Sequence, residues 1–449
     1  MAMEVVNAKA AGIDIGSRMH MVAVDQNIEN VREFGVYTSD HEQLIHYLFE
    51  HNITTVAMES TGSYWQTLFN ALQKAGLEVF LVNGSHVKNV KGKKTDVLDC
   101  LWIQKLHSLG LLNGSFLLSD YLQTLRTYYS HRQYLIRQSS KYINKMQKAL
   151  RLMNIRLDVV LNDITRQSGR AILDAIINGE RNSVKLAALT NNLVKKSKEE
   201  IALALQGHWR DDLLFELKSC LSLYDTYEQA IRICDKEMEA VLLNYRSSET
   251  DVVNEATFKK VPKKKNKYSP GFNIRHLAYA HLKTDLYEIP GISHNTVLCI
   301  LSNMGKDIHK FKTAKQFASW LRLVPNNKIS GGKILSSRTP KGKNVIAFSL
   351  RQAANSIGNQ KAHTLTPFFK RIAYRKGRIA AITATARKLA TIIWNMIVKR
   401  EAYKECDYEQ INAKRKTSQL KAIENRLRKL NLTTEELNKL SQKLSLSAT

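Results

Sequence analysis

"AGIDIGSRMHMVAVD", residues 11–25, sets two short apolar runs on either side of a glycine and a serine. The pattern predicts two strands joined by a turn at Gly16 and Ser17, with Asp14 at the end of the first strand. Working outward, helical spacing around residues 44–50 precedes "ITTVAMES" (53–60), an apolar and β-branched run that ends in Glu59. "YWQTLFNALQKAG" (64–76) has apolar residues at helical spacing and closes on Gly76, which suits a helix C-terminus. "LEVFLVN" (77–83) is a further buried strand, and "KKTDVLDCLWIQKLHSLG" (93–110) begins another helix. Strands and helices in alternation predict an α/β segment with a mixed sheet.

Within that segment Asp14 and Glu59 end strands, while Asp96 and Asp99 lie one turn apart at a helix start. In an open α/β sheet, strand ends and a helix laid across them converge in one place. Four gathered carboxylates stay ionised together only beside a cation, and oxygen donors favour hard divalent ions such as Mg²⁺. Two such ions about 4 Å apart can activate a nucleophile and stabilise the leaving oxygen of a phosphodiester displacement. The plainer alternative is that acids simply suit the partial positive charge of a helix N-terminus.

The charge of the chain separates into two parts. Overall, 68 Lys+Arg against 40 Asp+Glu leave +28, a balance that draws phosphate backbones or an anionic surface. Residues 1–112 hold nine Lys/Arg and twelve Asp/Glu, a net −3, so the rest carries +31. Acidic chemistry and basic grip therefore belong to different regions. At 449 residues the chain exceeds one hydrophobic core, which predicts two or three domains, and 6 Pro with 20 Gly exclude a mainly low-complexity chain. Five widely spaced cysteines without a C-x-x-C pair exclude a disulfide framework and a zinc knuckle, in keeping with a reducing cytoplasm. No signal-peptide layout and no apolar run near roughly 18 residues is present, so a membrane is not an expected partner.

From about residue 120 long helical patterns take over. Leu122, Leu125, Tyr129, Ile136, Ile143, Met146, Leu150 and Met153 fall on a and d of a heptad, interrupted by Arg132 and Ser139. A helical hairpin or coiled coil is expected, with a subunit interface as one use. Its other faces hold Arg126, Arg137, Lys141, Lys145, Lys148 and Arg151, either a track for nucleic acid or a solvated charged face. "FKKVPKKKNKYSPGF" (258–272) has two prolines, a glycine and six lysines, and predicts a flexible basic linker. The expected boundaries are a catalytic domain over 1–115, a helical or coiled-coil region over 116–257, a linker over 258–286, a mostly α second domain over 287–400 and a helical tail over 401–449. In the second domain "LYEIPGISHNTVLCILSNMG" (286–305) presents a Pro-Gly turn before a helix, a natural phosphate seat. "VPNNKISGGKILSSRTPKGKN" (324–344) reads as a loop in which Lys328, Lys333, Arg338, Lys341 and Lys343 surround serines, and a plain surface loop is its alternative.

"GIDIGS", "MESTGSYW" and "KTDVLDC", in this order and spacing, resemble the N-terminal RuvC-like domain of the DEDD transposases of bacterial insertion sequences, the bridge-RNA-guided recombinases. The resemblance spans residues 11–112 and resumes over 287–400. It implies an RNase-H-like sheet in which Asp14, Glu59, Asp96 and Asp99 are catalytic and bind Mg²⁺ (or Mn²⁺). It also implies a catalytic serine in a Ser-Gly loop, which lands on Ser330 with Ser336 and Ser337 nearby, and a covalent serine–DNA intermediate. Double-stranded donor and target DNA, a structured noncoding guide RNA and a homo-oligomer (dimer or tetramer), cytoplasmic and nucleoid-associated, follow from the same resemblance. Nucleic-acid contacts are then expected at Lys94, Arg126, Arg137, Lys141, Lys333, Arg338, Lys341 and Lys343; His86, between strand and acid helix, either reaches the acids or, as a lone histidine in a loop more often does, serves the structure. Two other functions fit the residues: a RuvC-like structure-specific nuclease that uses water, and a nucleic-acid-binding scaffold without chemistry.

Overall fold

Ala10–Ile15 (β1) and His20–Ala23 (β2) form the expected pair of strands, closed by a turn in which the Gly16 amide donates to the Met19 carbonyl. A short third strand, Arg32–Phe34 (β3), follows, then Thr38–Glu50 (α1), Thr55–Glu59 (β4), Trp65–Lys74 (α2), Glu78–Val82 (β5) and Asp96–Ser108 (α3). The computed structural model describes residues 4–60, 62–82, 95–112, 114–244, 258, 266–360, 364–404 and 408–429. The chain divides between Leu117 and Leu118 into two units.

In the first unit the sheet order is β3-β2-β1-β4-β5, with β1, β4 and β5 parallel and β2 and β3 antiparallel to their neighbours. One face carries Ala11, Ile13, Val56 and Met58 against Leu44 and Leu48 of α1 and Leu68 and Leu72 of α2. The other face packs Ala57 and Val82 against Ile103 of α3. Because side chains alternate along a strand, residues 10, 12 and 14 of β1 and 55, 57 and 59 of β4 face α3.

Gly12 sets how closely α3 approaches. A Cβ there would lie 2.3 Å from the Gln104 amide nitrogen and 2.5 Å from the Cys100 carbonyl oxygen. Helix backbone thus rests directly on β1, and the Gln104 side-chain amide donates to the Ala10 carbonyl at 3.0 Å. Gly12→Ala is expected to cost about 3 kcal/mol, because backbone on both sides must move. Denaturant unfolding checks this, and a change below about 0.5 kcal/mol would contradict the packing.

Three histidines, His20, His41 and His107, are buried among the described residues of this unit, and burial lowers the pKa of each. His20 lies 1% exposed with its ring centroid 5.6 Å from that of His41, and burial, then the charge of His41, lowers its pKa to about 4. His107 is likewise lowered to about 4 by burial and shares a 2.9 Å hydrogen bond with the Thr55 hydroxyl. Both folded-state values lie below the ordinary 6.5, so their stabilisation is complete above pH 6.5 and drains away as pH falls towards 4. The melting temperature is therefore expected to drop across that window, and His20→Gln with His107→Gln to flatten the drop; an unchanged slope would contradict it.

Among its described residues the second unit is helical apart from one hairpin. Asp120–Leu152 (α4) packs along Asp211–Asn244 (α9), with Leu157–Val160 (α5), Gln167–Ile177 (α6), Ser183–Ala188 (α7) and Lys198–Ala204 (α8) between them. Ile274–Leu282 (α10), His294–Asn303 (α11) and Ala314–Trp320 (α12) precede the hairpin Lys328–Ser330 (β6) and Lys333–Ser336 (β7). Val345–Asn359 (α13), Thr366–Lys376 (α14), Arg378–Lys399 (α15) and Tyr408–Lys429 (α16) complete it. No helix among the described residues is long and apolar enough to cross a membrane.

The heptad face of α4 is filled within the chain. Leu122, Leu125, Met146, Leu150 and Met153 are buried, so this face is not free to hold a second protomer, which corrects that use of the segment. The two interruptions are its polar layers. Arg132 is fully buried and binds Asp235 of α9 through Nε at 2.5 Å, and the Ser139 hydroxyl donates to Glu228 at 2.7 Å. The expected linker also needs correction from residue 266 onward: the Tyr268 carbonyl accepts from Arg132, the Gly271 amide donates to Asp235, and α10 follows. Removing one partner strands a buried charge, so Arg132→Met is expected to cost about 3–5 kcal/mol, with recovery in Arg132→Met/Asp235→Leu. Unfolding free energies of the two variants test it, and equal losses would contradict it.

Candidate active site: an acidic sheet edge and a serine hairpin

β1 and β4 run parallel with Ile13 opposite Met58, so Asp14 and Glu59 follow one step on, side by side at the C-terminal ends of neighbouring strands. Both face α3, by the alternation that turns Ile13 and Met58 the other way. The direction of α3 is fixed by its contacts. His107, near its C-terminus, meets Thr55 at the start of β4, and Gln104 meets Ala10 at the start of β1. Its N-terminus therefore lies over the strand ends that carry Asp14 and Glu59.

That N-terminus brings the other two acids. The Thr95 hydroxyl accepts from the Leu98 amide at 3.3 Å and caps the helix, which puts Asp96 and Asp99 in its first turn. Asp96 precedes the buried Cys100 by one turn and Asp99 precedes Ile103 by one turn, so both acids continue the sheet-facing side of α3. Asp14, Glu59 and Asp99 are half-buried and Asp96 is exposed. The Cys100 thiol reports their charge: burial pushes its pKa up to about 12, and Asp14 and Asp99 both add to the rise.

Four carboxylates thus belong to one edge of the first unit. Their oxygens fit Mg²⁺ or Mn²⁺ by donor chemistry. Among the described residues, however, no three His, Cys, Asp or Glu side chains stand close enough together to hold an ion as they are. Lys94 and His86 lie outside the described residues.

Ser330 belongs to the second unit. It ends β6, pairs with Lys333 and is followed by Gly331 and Gly332 at φ +54° and +75°. Two successive left-handed residues make the tight turn that suits a two-residue hairpin, so a stretch expected as a loop is an ordered ribbon. All of Lys328–Ser330 is exposed, which leaves the Ser330 hydroxyl presented at the tip. Ser336 is half-buried at the base opposite Lys328, and Ser337 is exposed. Lys333, Arg338, Lys341 and Lys343 are exposed along the same ribbon and its exit, and Arg126, Arg137 and Lys141 are exposed on α4.

Sequence reasoning missed Gly12 and Gln104, which hold α3 to the sheet, and Arg375 and Lys376 near the end of α14. The signals were present in the glycine two places before Asp14 and in the basic run around Gly377.

A model of DEDD transposases matches residues 11–155, which takes in the acidic edge and α4, and a model described as the transposase IS116/IS110/IS902 family matches residues 283–366, which takes in the hairpin. The transposase for insertion sequence element IS1111A of Coxiella burnetii is 29% identical over 120 residues, 26% of this chain and 33% of that protein. A family 20 transposase of Pseudomonas aeruginosa is 25% identical over 134 residues, 28% of this chain and 39% of that protein. The matched region thus spans about a third of the length of these relatives. With both family segments in order, covering about half of its length and containing the acidic edge and the hairpin, the chain belongs to the DEDD transposase family of insertion sequences.

Proposed function

We infer that this chain cleaves and rejoins DNA to move an insertion sequence, with the acidic edge and Ser330 as its two chemical parts. The observation that carries this reading is the placement of Asp14 and Glu59 on adjacent strand ends beneath the α3 turn that bears Asp96 and Asp99. The sheet is read as RNase-H-like, in support of which stand its strand order, with β1, β3, β4 and β5 running one way and β2 alone running against them, and the helices on both faces.

Ser330 attacks a backbone phosphorus: an Oγ–P bond forms, the bond from phosphorus to one sugar oxygen breaks, and that oxygen leaves as a hydroxyl. The proton lost by Ser330 passes to a base, and a serine hydroxyl needs such help at neutral pH. Attack of a second strand's hydroxyl on the phosphoserine reverses the exchange and frees Ser330, so no net hydrolysis occurs. Lys333, across the ribbon from Ser330, offers positive charge to the phosphate under attack. The four carboxylates would hold Mg²⁺ or Mn²⁺, whose charge, when bound, stabilises the reacting and leaving oxygens. That task requires the edge to close further around the ion than it does here.

Donor and target duplexes and a structured noncoding guide RNA are the proposed partners, gripped by the +28 chain through Arg126, Arg137, Lys141, Arg338, Lys341 and Lys343. A dimer or tetramer is the proposed working form, in which acids of one protomer can serve the serine of another. The test is denaturing electrophoresis of the full chain after incubation with DNA carrying the element's ends, guide RNA and Mg²⁺. Protein-linked DNA is expected; cleaved DNA without a linked species indicates a water-using nuclease, and intact DNA a binding scaffold.

A further inference from the structure

Next to the ribbon that carries Ser330 lies an open groove with a cavity volume of about 1070 Å³. One wall is α14, which contributes Phe368, Ile372, Arg375 and Lys376. The floor is a stripe of α15, where Ala380, Thr383, Ala384 and Thr391 keep it low and Arg387 and Lys388 stand between them. The far wall is the ribbon's exit, Ser337, Arg338 and Thr339. From Ile379 to Asn395 the stripe runs about 24 Å along the helix.

The lining is one-sided in charge. Arg338, Arg375, Lys376, Arg387 and Lys388 all border the groove, and among the described residues no Asp or Glu does. Lys388 lies 5.6 Å from the centroid of the half-buried Phe368 ring, so an aromatic face and a cation share one place. A duplex offers phosphates outward and keeps its bases stacked inside, and it makes no use of an apolar floor. An unpaired strand offers both a base for the apolar surface and a phosphate for the cations.

We propose that this groove holds a single DNA strand, the one that leads away from the phosphate attacked by Ser330, an inference that rests on Ser330 as the nucleophile. Ser337 of the wall follows directly on β7, the strand paired with the one that ends in Ser330. The four residues of β7, about 13 Å, separate the tip from the groove, a spacing of about two nucleotides. The strand freed by cleavage is kept by the groove until it is rejoined.

Fluorescence polarisation of the full chain tests this with a labelled 12-nucleotide DNA strand, its duplex and the RNA strand of the same sequence. Arg387→Ala/Lys388→Ala is expected to weaken single-strand DNA binding at least about tenfold and duplex binding less than threefold. Ala384→Trp, which fills the floor, is expected to do the same; should it misfold, Phe368→Ala removes the stacking surface and is expected to cost about fivefold or more. Equal losses for strand and duplex, no loss, or tighter groove-dependent binding of the RNA strand would overturn the proposal. Ser330→Ala separates the two readings: if no covalent species ever forms but the groove variants still release the single strand, the nucleophile assignment falls and the groove stands.

Discussion

Asp14→Asn and Glu59→Gln proteins are expected to cleave DNA at least about 10³-fold more slowly than the unaltered chain, a loss of about 4 kcal/mol of transition-state stabilisation. Each amide is nearly isosteric with the acid it replaces, and both positions are only half-buried, so the fold should survive. The sign of the stability change is informative. Removing one of several like charges from a shared edge relieves repulsion, so melting temperature without metal should hold or rise. Added Mg²⁺ should raise the melting temperature of the unaltered chain, by about 2.7 kcal/mol of binding linkage at a hundredfold excess over its dissociation constant, and raise that of the variants less. Asp99→Asn should behave alike. Full cleavage by these variants, with an unaltered response to Mg²⁺, would reduce the acids to helix caps and sheet-edge polar groups.

Ser330→Ala is expected to abolish the protein-linked DNA species and lower strand exchange by at least about 10³-fold, because no other atom at the ribbon tip can form the phosphate ester. Its side chain is exposed, so folding stability should change by less than about 0.5 kcal/mol. Duplex affinity should also stay, since the cations of the ribbon and of α4 are untouched. Ser336→Ala and Ser337→Ala are expected to retain the linked species. Electrophoresis of trapped complexes decides among the three serines, and a Ser330→Ala protein that still forms the species would move the nucleophile elsewhere.

How much of this was legible depended on how local the cause was. β1, β2, β4 and β5 and the acids at their ends could be read because each strand is a short apolar run with its own stop, and because strand-end acids have few structural reasons to recur. β3 escaped, since "REF" is three residues with a single apolar member and is defined by its pairing with β2. α1 begins at Thr38, not near residue 44, because its first turn, Thr38 to His41, is made of polar residues and carries no apolar period. Arg132 and Ser139 read as breaks in a heptad since their partners, Asp235 and Glu228, lie 103 and 89 residues away. A seam that looked suited to a second subunit is closed by α9 of the same chain, which helical periodicity alone cannot foresee. The ribbon was readable in principle: a Gly-Gly pair between two short runs is a hairpin signal, and its surrounding lysines and serines obscured it. The converging face of α3 rested on Gly12, a residue whose meaning appears only when the helix backbone is seen against it.

The joint assignment of an acidic edge and a serine ribbon to one reaction is tested most directly by identifying the residue that carries DNA. Linked protein is trapped with element-end DNA, digested with protease and nuclease, and the peptide bearing a residual nucleotide is sequenced by mass spectrometry. A nucleotide on Ser330, lost when Asp14 is changed to asparagine, is the predicted result. A nucleotide on Ser336, on Ser337 or on no residue, with DNA cut all the same, would contradict the account.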